Sequence, residues 1–512
     1  MPEFLSPGHY VTEAEPQVVT IAGVPTSTAA LVGIAEKGPI GQAVLVTSWT
    51  DFIDKFGGFT PNGWLAYAAY GLFLNKRGAR VYVVRTAHYT DPGDPATLTA
   101  VKATVTLQDR ATTPTDTLKI DALNEGTWGN RIKVKIEDAT KDQANKFKLT
   151  VLETIGGQDV VREVFDELSM IDTDLDYVET RINGVSKYIA VTDMGSTTVA
   201  PNDRPAVGTF SLANGDDGLT DLADTDYIGS PAGRTGLYAL DVIPESLLIA
   251  VPGVATSAVQ NGVLDYCAGR KDCFAVLDPP FGNTPDQVKT YVETTAGLNS
   301  TYGAFYYPNV KIIDPATGKE KVVPPSGFII GAYARTDGDK GVWKVAAGIE
   351  DGRLAGVIGL ENELVNDKAV RDVLYPARIN TICFLRGYGI RVYGARTLDG
   401  SKKFPYINER RTFIYCEKSI YEGTQFAEFE NNEPGLWKRL TRSITSFLLT
   451  VWKQGGLRGE KPQDAFVVKI DEELNTQEFI DQGIVRGLIG LATQRPAEFI
   501  WFEFQRQVKT EG

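Results

Sequence analysis

The sequence predicts an α/β protein of several domains. An α/β core is split by an inserted β-rich domain and followed by a C-terminal α+β region. Three observations predict this. Apolar runs at Leu247–Val251, Cys273–Leu277 and Ala304–Tyr307 alternate with helical patterns, the mark of a parallel sheet covered by helices. Residues 91–215 show period-two alternation instead, as in antiparallel strands with one wet face. From Gly389 to Gln505 the order reads strand, helix, helix, strand, strand, and an apolar strand with no partner left comes last.

Residues 1–22 read as an extended arm. Pro2, Pro7 and Pro16 forbid a continuous helix, and Tyr10-Val11-Thr12 and Val18–Ile21 favour strand. Residues 23–90 form the first part of the core. Leu31–Ile34, Ala43–Val46 and Arg80–Arg85 are expected strands. Ser48 should cap a short helix that Gly57-Gly58 closes, and Leu65, Ala69, Leu72 and Phe73 mark a second helix. At Asp91-Pro92-Gly93-Asp94-Pro95 the character changes. In the insert, 91–215, Ile132, Val134 and Ile136 alternate with lysines and acids, as do Phe147, Leu149 and Val151 with their neighbours. Residues 216–365 complete the core. Ser257 should open one helix. Thr284-Pro285-Asp286-Gln287 is a capping box with proline at the first helical position.

Residues 366–495 form the C-terminal region. Ile390, Val392 and Gly394 alternate with Arg391 and Tyr393 as a strand. Asn408 is expected to cap a helix through Phe413, Cys416 and Ile420, which Gly423 ends. A second helix opens at Pro434. Its apolar face is Leu436, Leu440, Ile444, Phe447, Leu448 and Val451, and Gly455-Gly456 ends it. Strands are expected at Ala465–Ile470 and Ile484–Leu491. Residues 496–512 carry Phe499, Ile500, Trp501, Phe502 and Phe504, apolar on both faces as in a doubly buried strand.

Composition excludes several functions. The 512 residues are 43% hydrophobic and 23% charged, ordinary for a globular protein. A net charge of −13 argues against general nucleic-acid binding, which rests on phosphate neutralisation. Cys267, Cys273, Cys383 and Cys416 form no C-x-x-C pair and read as small buried hydrophobes. Met1-Pro2-Glu3-Phe4 lacks a basic n-region, so no signal peptide is expected, and no apolar run suggests a membrane span.

Catalytic chemistry finds little support. The turn Pro252–Ser257 lacks the G-x-G-x-x-G that lets backbone approach a pyrophosphate, and no P-loop, H-E-x-x-H or G-x-S-x-G occurs. His9 and His88 are the only histidines, too few and too peripheral for a triad or zinc site. Asp216, Asp217, Asp221, Asp224 and Asp226 lack calcium-loop spacing and read as a solvated linker. Asp337-Gly338-Asp339 reads as a turn. No catalytic residue, metal site or cofactor is expected.

One charge pattern stands out. Between Pro434 and Gly459 lie Lys438, Arg439, Arg442, Lys453 and Arg458, with no acid. Lys438, Arg442 and Lys453 share a helical face. Lys438 and Arg439 sit early in the helix, where cations oppose the dipole. The pattern fits a docking face for an acidic partner, or an ordinary wet face.

Together these residues resemble the tail sheath proteins of contractile phages, tailocins and related injection systems. The motifs run in order along the chain: Leu5–Glu13, Gly23–Ala29, Gly38-Pro39, Gly126-Thr127-Trp128-Gly129-Asn130, Pro324-Pro325-Ser326-Gly327, Gly331–Asp337, Gly341–Lys344, Gly394-Ala395-Arg396-Thr397-Leu398, Arg410-Arg411, Gly455–Gly459 and Pro496–Ile500. His9 and Thr12 depart mildly from the family's usual Gly-Val-Tyr-Val-Glu-Glu opening.

The resemblance implies a structural subunit, not an enzyme. Such subunits stack as hexameric rings around an inner tube, in a high-energy extended state, and contract as rigid bodies to drive the tube through a cell envelope. It implies that arms of neighbouring subunits complete the C-terminal sheet by β-augmentation. Tyr10, Val11, Thr12, Phe499, Ile500, Trp501, Phe502 and Phe504 would be the inter-subunit strands. Lys438, Arg439, Arg442 and Lys453 would face the tube. Implied partners are further copies of the chain, the tube protein, and baseplate and terminator proteins, with no direct contact to nucleic acid or membrane. The particle would be a virion tail or injection machine assembled in the bacterial cytoplasm. A doubly wound nucleotide-dependent enzyme and a monomeric β-rich adhesin are the rival readings.

Overall fold

The computed structural model describes residues 20–61 and 63–500. Its strands, in chain order, are β1 (Thr28–Gly33), β2 (Ala43–Val46), β3 (Val81–Arg85), β4 (Thr104–Gln108), β5 (Asp116–Ala122), β6 (Ile132–Asp138), β7 (Phe147–Ile155), β8 (Gln158–Leu168), β9 (Ile189–Asp193), β10 (Gly208–Ser211), β11 (Leu247–Ala250), β12 (Cys273–Leu277), β13 (Gly303–Tyr307), β14 (Val310–Ile313), β15 (Glu320–Val323), β16 (Gly359–Leu360), β17 (Ile379–Leu385), β18 (Gly389–Tyr393), β19 (Phe466–Lys469) and β20 (Leu488–Leu491).

Eight of these strands form the main sheet, in the order β18-β17-β13-β12-β11-β1-β3-β2. Its middle is parallel, and each edge strand is antiparallel to its neighbour. The strands β1, β11, β12 and β13 are buried along their whole length. That is why they read as unbroken apolar runs. The helices Leu65–Asn75 and Ser326–Lys340 pack on each other and on this sheet. They approach to backbone contact: a Cβ at Gly327 would lie 2.1 Å from the Ala68 carbonyl oxygen. This explains the small residues of the Pro324–Gly331 stretch.

Strand β18 departs from expectation. The sequence groups it with the C-terminal region, but it closes one edge of the main sheet on β17. Asp337-Gly338-Asp339 is not a turn. It is the last part of helix Ser326–Lys340. Tertiary packing has overridden a local preference of Asp and Gly for turns.

Residues 104–211 build two further sheets, β10-β6-β7-β8 and β4-β5-β9. They enclose a separate core that includes Leu118, Ile120, Ile132, Val134, Ile136, Phe147, Leu149 and Val151, all fully buried. The junction to the main sheet is not a solvated linker. Arg85 is buried at the end of β3, and its guanidinium donates to the carbonyls of Gly38 (2.9 Å) and Glu125 (2.7 Å) and to Asp217 (3.2 Å). A buried cation needs such partners. Asp226 is fully buried too. It accepts from the Tyr89 N–H at 3.0 Å and the Ala223 N–H at 2.8 Å, and it faces His88 Nδ1 at 3.0 Å. All four cysteines are buried and free, and burial pushes their thiols up.

Candidate assembly interface

Helix Ile407–Gly423 joins the main sheet to the C-terminal region, and its first turns are unusually polar for a buried element. Tyr406, not Asn408, is the residue before it. Asn408 lies inside the helix and donates to the carbonyls of Trp343 (3.1 Å) and Gln494 (2.8 Å). Arg410 lies between the rings of Tyr302 (4.4 Å) and Phe404 (4.7 Å) and pairs with Glu417 at 2.9 Å. Arg411 grips buried Asp337 through both terminal nitrogens and donates to the Thr26 carbonyl at 3.1 Å. Removing either partner would strand a buried charge, at a cost of roughly 3–5 kcal/mol.

Helix Pro434–Lys453 carries the predicted apolar face inward. Leu436, Leu440, Ile444, Phe447, Leu448 and Val451 are all buried. Its other face divides the four candidate cations. Lys438, Arg442 and Lys453 are exposed and form no ion pair among the described residues. Arg439 differs: it pairs with Glu430 and sits 5.9 Å from the Phe426 ring. Only three of the four therefore present free charge outward.

Beside this helix stands the smallest sheet, the hairpin of β19 and β20. Phe466, Val468, Ile489 and Leu491 pack on the helix core, whereas Val467 and Leu488 are 54% and 56% exposed. The second strand starts at Leu488, four residues later than the sequence suggests. Arg486 and Asn475 bond to each other just before it. Among the described residues the hairpin gains no third strand. A two-stranded sheet is marginal alone and leaves two unpaired edges.

The segment after β20 returns to the subunit. Arg495 donates to Glu409 at 2.9 Å. Glu498 inserts between Arg396 (2.8 Å), the Tyr406 hydroxyl (3.1 Å) and the Tyr375 hydroxyl. Phe499 and Ile500 then stand 82% and 73% exposed, with no strand assigned. Of the other candidate strand residues, Tyr10, Val11, Thr12, Trp501, Phe502 and Phe504 lie outside the described residues.

At the carboxyl ends of β11 and β12, where doubly wound sheets take ligands, the space is filled. Asp278 is buried and accepts from the Ser326 N–H and hydroxyl, both at 2.7 Å, and from the Gly253 N–H at 3.1 Å. Burial pushes its carboxyl up to about 6. A Cβ at Gly253 would lie 2.1 Å from Trp64 Cδ1, so an indole covers the turn a pyrophosphate would need. Among the described residues no His, Cys, Asp and Glu group could hold a metal ion, and no helix is long and apolar enough to cross a membrane.

Comparison with known proteins identifies the family. The phage tail sheath protein central domain matches residues 245–398, and the phage tail sheath C-terminal domain matches 399–507. Together they span just over half of the chain. The tail sheath protein of Burkholderia phage BcepMu is 28% identical over 310 residues, 56% of this chain and 61% of that protein. The tail sheath protein of Vibrio phage KVP40 is 25% identical over 334 residues, 60% of this chain and 48% of that protein. The chain thus spans about half to three-fifths of these relatives. Among solved structures, the contracted sheath of the anti-feeding prophage superposes with a TM-score of 0.59 at 21% identity, over 98% of this chain and 99% of that one. The contracted PVC sheath gives 0.58 at 21% identity over the full length of both chains. The sheath tail protein of Listeria innocua gives 0.59 at 14% identity, over 89% and 90%. With both family domains in sequence and the whole fold shared, the chain belongs to the contractile tail sheath family.

Proposed function

We propose that this protein is the structural subunit of a contractile sheath, in a phage tail or an injection particle. Subunits stack as hexameric rings around an inner tube and contract to drive the tube through an envelope. The observation that carries this reading is the unfinished hairpin of β19 and β20. It is half-buried on both strands and, among the described residues, open at both edges, and the chain runs on from it to exposed Phe499 and Ile500, which lie in no strand. Arms from neighbouring copies, through Tyr10–Thr12 of one and Phe499–Phe504 of another, would add the missing strands. Each large side chain so buried contributes about 1.5–3 kcal/mol.

The exposed Lys438, Arg442 and Lys453 would meet an acidic tube, fixing register during co-assembly. Arg439, held by Glu430, would contribute less. Baseplate and terminator proteins would bound the polymer. The wall needs no catalytic group: contraction is a bistable repacking between subunits. Residues 91–215 would lie on the outside.

Electron microscopy of the purified full-length chain, alone and with tube protein, tests the reading. Long hollow cylinders are expected. Monodisperse small particles under every condition, tube included, would overturn it in favour of an enzyme or an adhesin.

A further inference from the structure

The segments leading to the two chain ends are held at opposite ends of one helix. Near the C-terminal end of Ile407–Gly423, buried Ile21 packs so closely that a Cβ on Gly423 would come within 2.6 Å of it. The Val24 N–H donates to the Ser419 hydroxyl at 3.1 Å. At the helix's N-terminal end, Asn408 holds the Gln494 carbonyl, Glu409 holds Arg495, and the preceding Tyr406 reaches Glu498. Seventeen residues place these two points about 25 Å apart on a rigid rod.

The grip on Glu498 is a built site. Its side chain is only 9% exposed. Three donors from three elements converge on it. Tyr375 follows helix Lys368–Leu374, Arg396 follows β18, and Tyr406 precedes helix Ile407–Gly423. The Arg396 guanidinium also lies 4.4 Å from the Tyr375 ring, which fixes its plane. Directly beyond Glu498 the chain carries exposed Phe499 and Ile500, so nothing past this carboxylate is tied to its own subunit among the described residues.

We propose that Tyr375, Arg396 and Tyr406 form a carboxylate clamp that positions Glu498 as the root of the C-terminal arm. The clamp sets the point and direction in which the following apolar residues leave the body. Helix Ile407–Gly423 then fixes the spacing between this root and that of the N-terminal arm. A neighbour's sheet edge meets an arm whose first residues are already ordered, which lowers the entropy lost on strand addition. The role in assembly rests on the sheath reading; the clamp itself does not.

The test uses the full chain with Glu498→Gln, Arg396→Gln and the double variant, and Tyr406→Phe as the mildest change. In the soluble subunit, chymotryptic cleavage at Phe499 should speed up about tenfold for Glu498→Gln, with circular dichroism and thermal midpoint near wild type. Tyr406→Phe should shift the rate in the same direction by less. The double variant should cleave little faster than either single, because the two groups act on each other. In the polymer, the concentration needed for cylinders should rise about tenfold for Glu498→Gln. An unchanged cleavage rate, or fully additive single effects, would overturn the clamp. Wild-type cylinders with an unaffected Glu498→Gln variant would overturn its assembly role. Wild-type chain that never polymerises would sink the sheath reading, while the protease comparison still decides the clamp.

Discussion

The seven-stranded region 104–211 and the β19–β20 hairpin are both antiparallel, yet one is finished and the other is not. In the first, β6 alone contributes three fully buried side chains, Ile132, Val134 and Ile136, against facing residues of β7. Its long edge strand β8 does expose Val160, Val161 and Val164. That edge is guarded by charge: Lys133 pairs with Asp159 at 2.9 Å and Arg162 with Glu153 at 2.8 Å. In the hairpin no residue of either strand is fully buried, and one apolar face, Val467 and Leu488, stays open. A region that closes its own core needs no neighbour. A hairpin with open edges and exposed apolar surface offers a place for one, and in the proposed sheath the apolar residues towards the two chain ends would fill it.

The largest effect that could break this contrast comes from deleting residues 496–512. The hairpin packs on helix Pro434–Lys453 through Phe466, Val468, Ile489 and Leu491, none of which is removed. The truncated chain should therefore stay folded and soluble, with wild-type circular dichroism, and sediment as a small species without cylinders. Cylinders that still form would show that the open edge needs no such strand. Outright unfolding would show that the segment completes its own subunit.

A smaller effect is expected from the helix beside the hairpin. Changing Lys438, Arg442 and Lys453 to Glu reverses three exposed charges without touching a buried contact. Exposed pairs contribute about 0.2–1 kcal/mol each, so reversal should weaken co-assembly on tubes roughly tenfold to a hundredfold at low salt. The deficit should shrink as salt rises, because screening removes what charge supplied. Arg439→Glu in place of Arg442→Glu serves as the internal comparison. It breaks the Glu430 pair and should act through local stability more than through tube binding. Unchanged co-assembly at both low and moderate salt would remove the basic face from the interface.

How much of the fold is legible in the sequence depends on where each signal lives. Strand periods and helix faces are local, so β6, β7, β11–β13 and the apolar face of Pro434–Lys453 can be read directly. So can the Thr284 capping box, in which the Thr284 N–H donates to Gln287 at 2.8 Å. Pairings across the fold leave no local trace. The motif stretches around Arg396, Arg411, Asp337 and Glu498 are each visible, but nothing in spacing says that Arg411 meets Asp337 or that Arg396 meets Glu498. Those bonds depend on the main sheet and helix Ile407–Gly423 being in place. The same blindness explains the misread aspartates. Asp217 and Asp226 look like solvated residues locally, and distant partners, the buried Arg85 for one and the backbone N–H of Tyr89 for the other, help make them structural. Strand β18 is legible as a strand but not in its pairing, since alternation specifies a face and not a partner.

The smallest effect on assembly, and the sharpest on the comparison, should come from excising the finished region. The Thr104 N–H donates to the Ala213 carbonyl at 2.9 Å, so the two strands meet at its base and a short Gly/Ser linker can join Ala103 to Ala213. Cutting at 91 and 215 would go too deep. It would remove Pro92, whose carbonyl accepts from Thr235 at 2.7 Å, and Ala100, which packs with Ile40, Ala87 and Tyr89. The narrower cut still takes Glu125, so Arg85 keeps only the Gly38 carbonyl and Asp217. Losing one hydrogen bond from a buried guanidinium should cost roughly 1–3 kcal/mol of stability, seen as a lower thermal midpoint. Cylinders should nevertheless form, with a thinner wall, because neither the hairpin nor the arm roots touch the excised strands. If the excised subunit stays folded but makes no cylinders, the self-contained region takes part in assembly after all, and a closed core can no longer be taken to mark it as the outer layer.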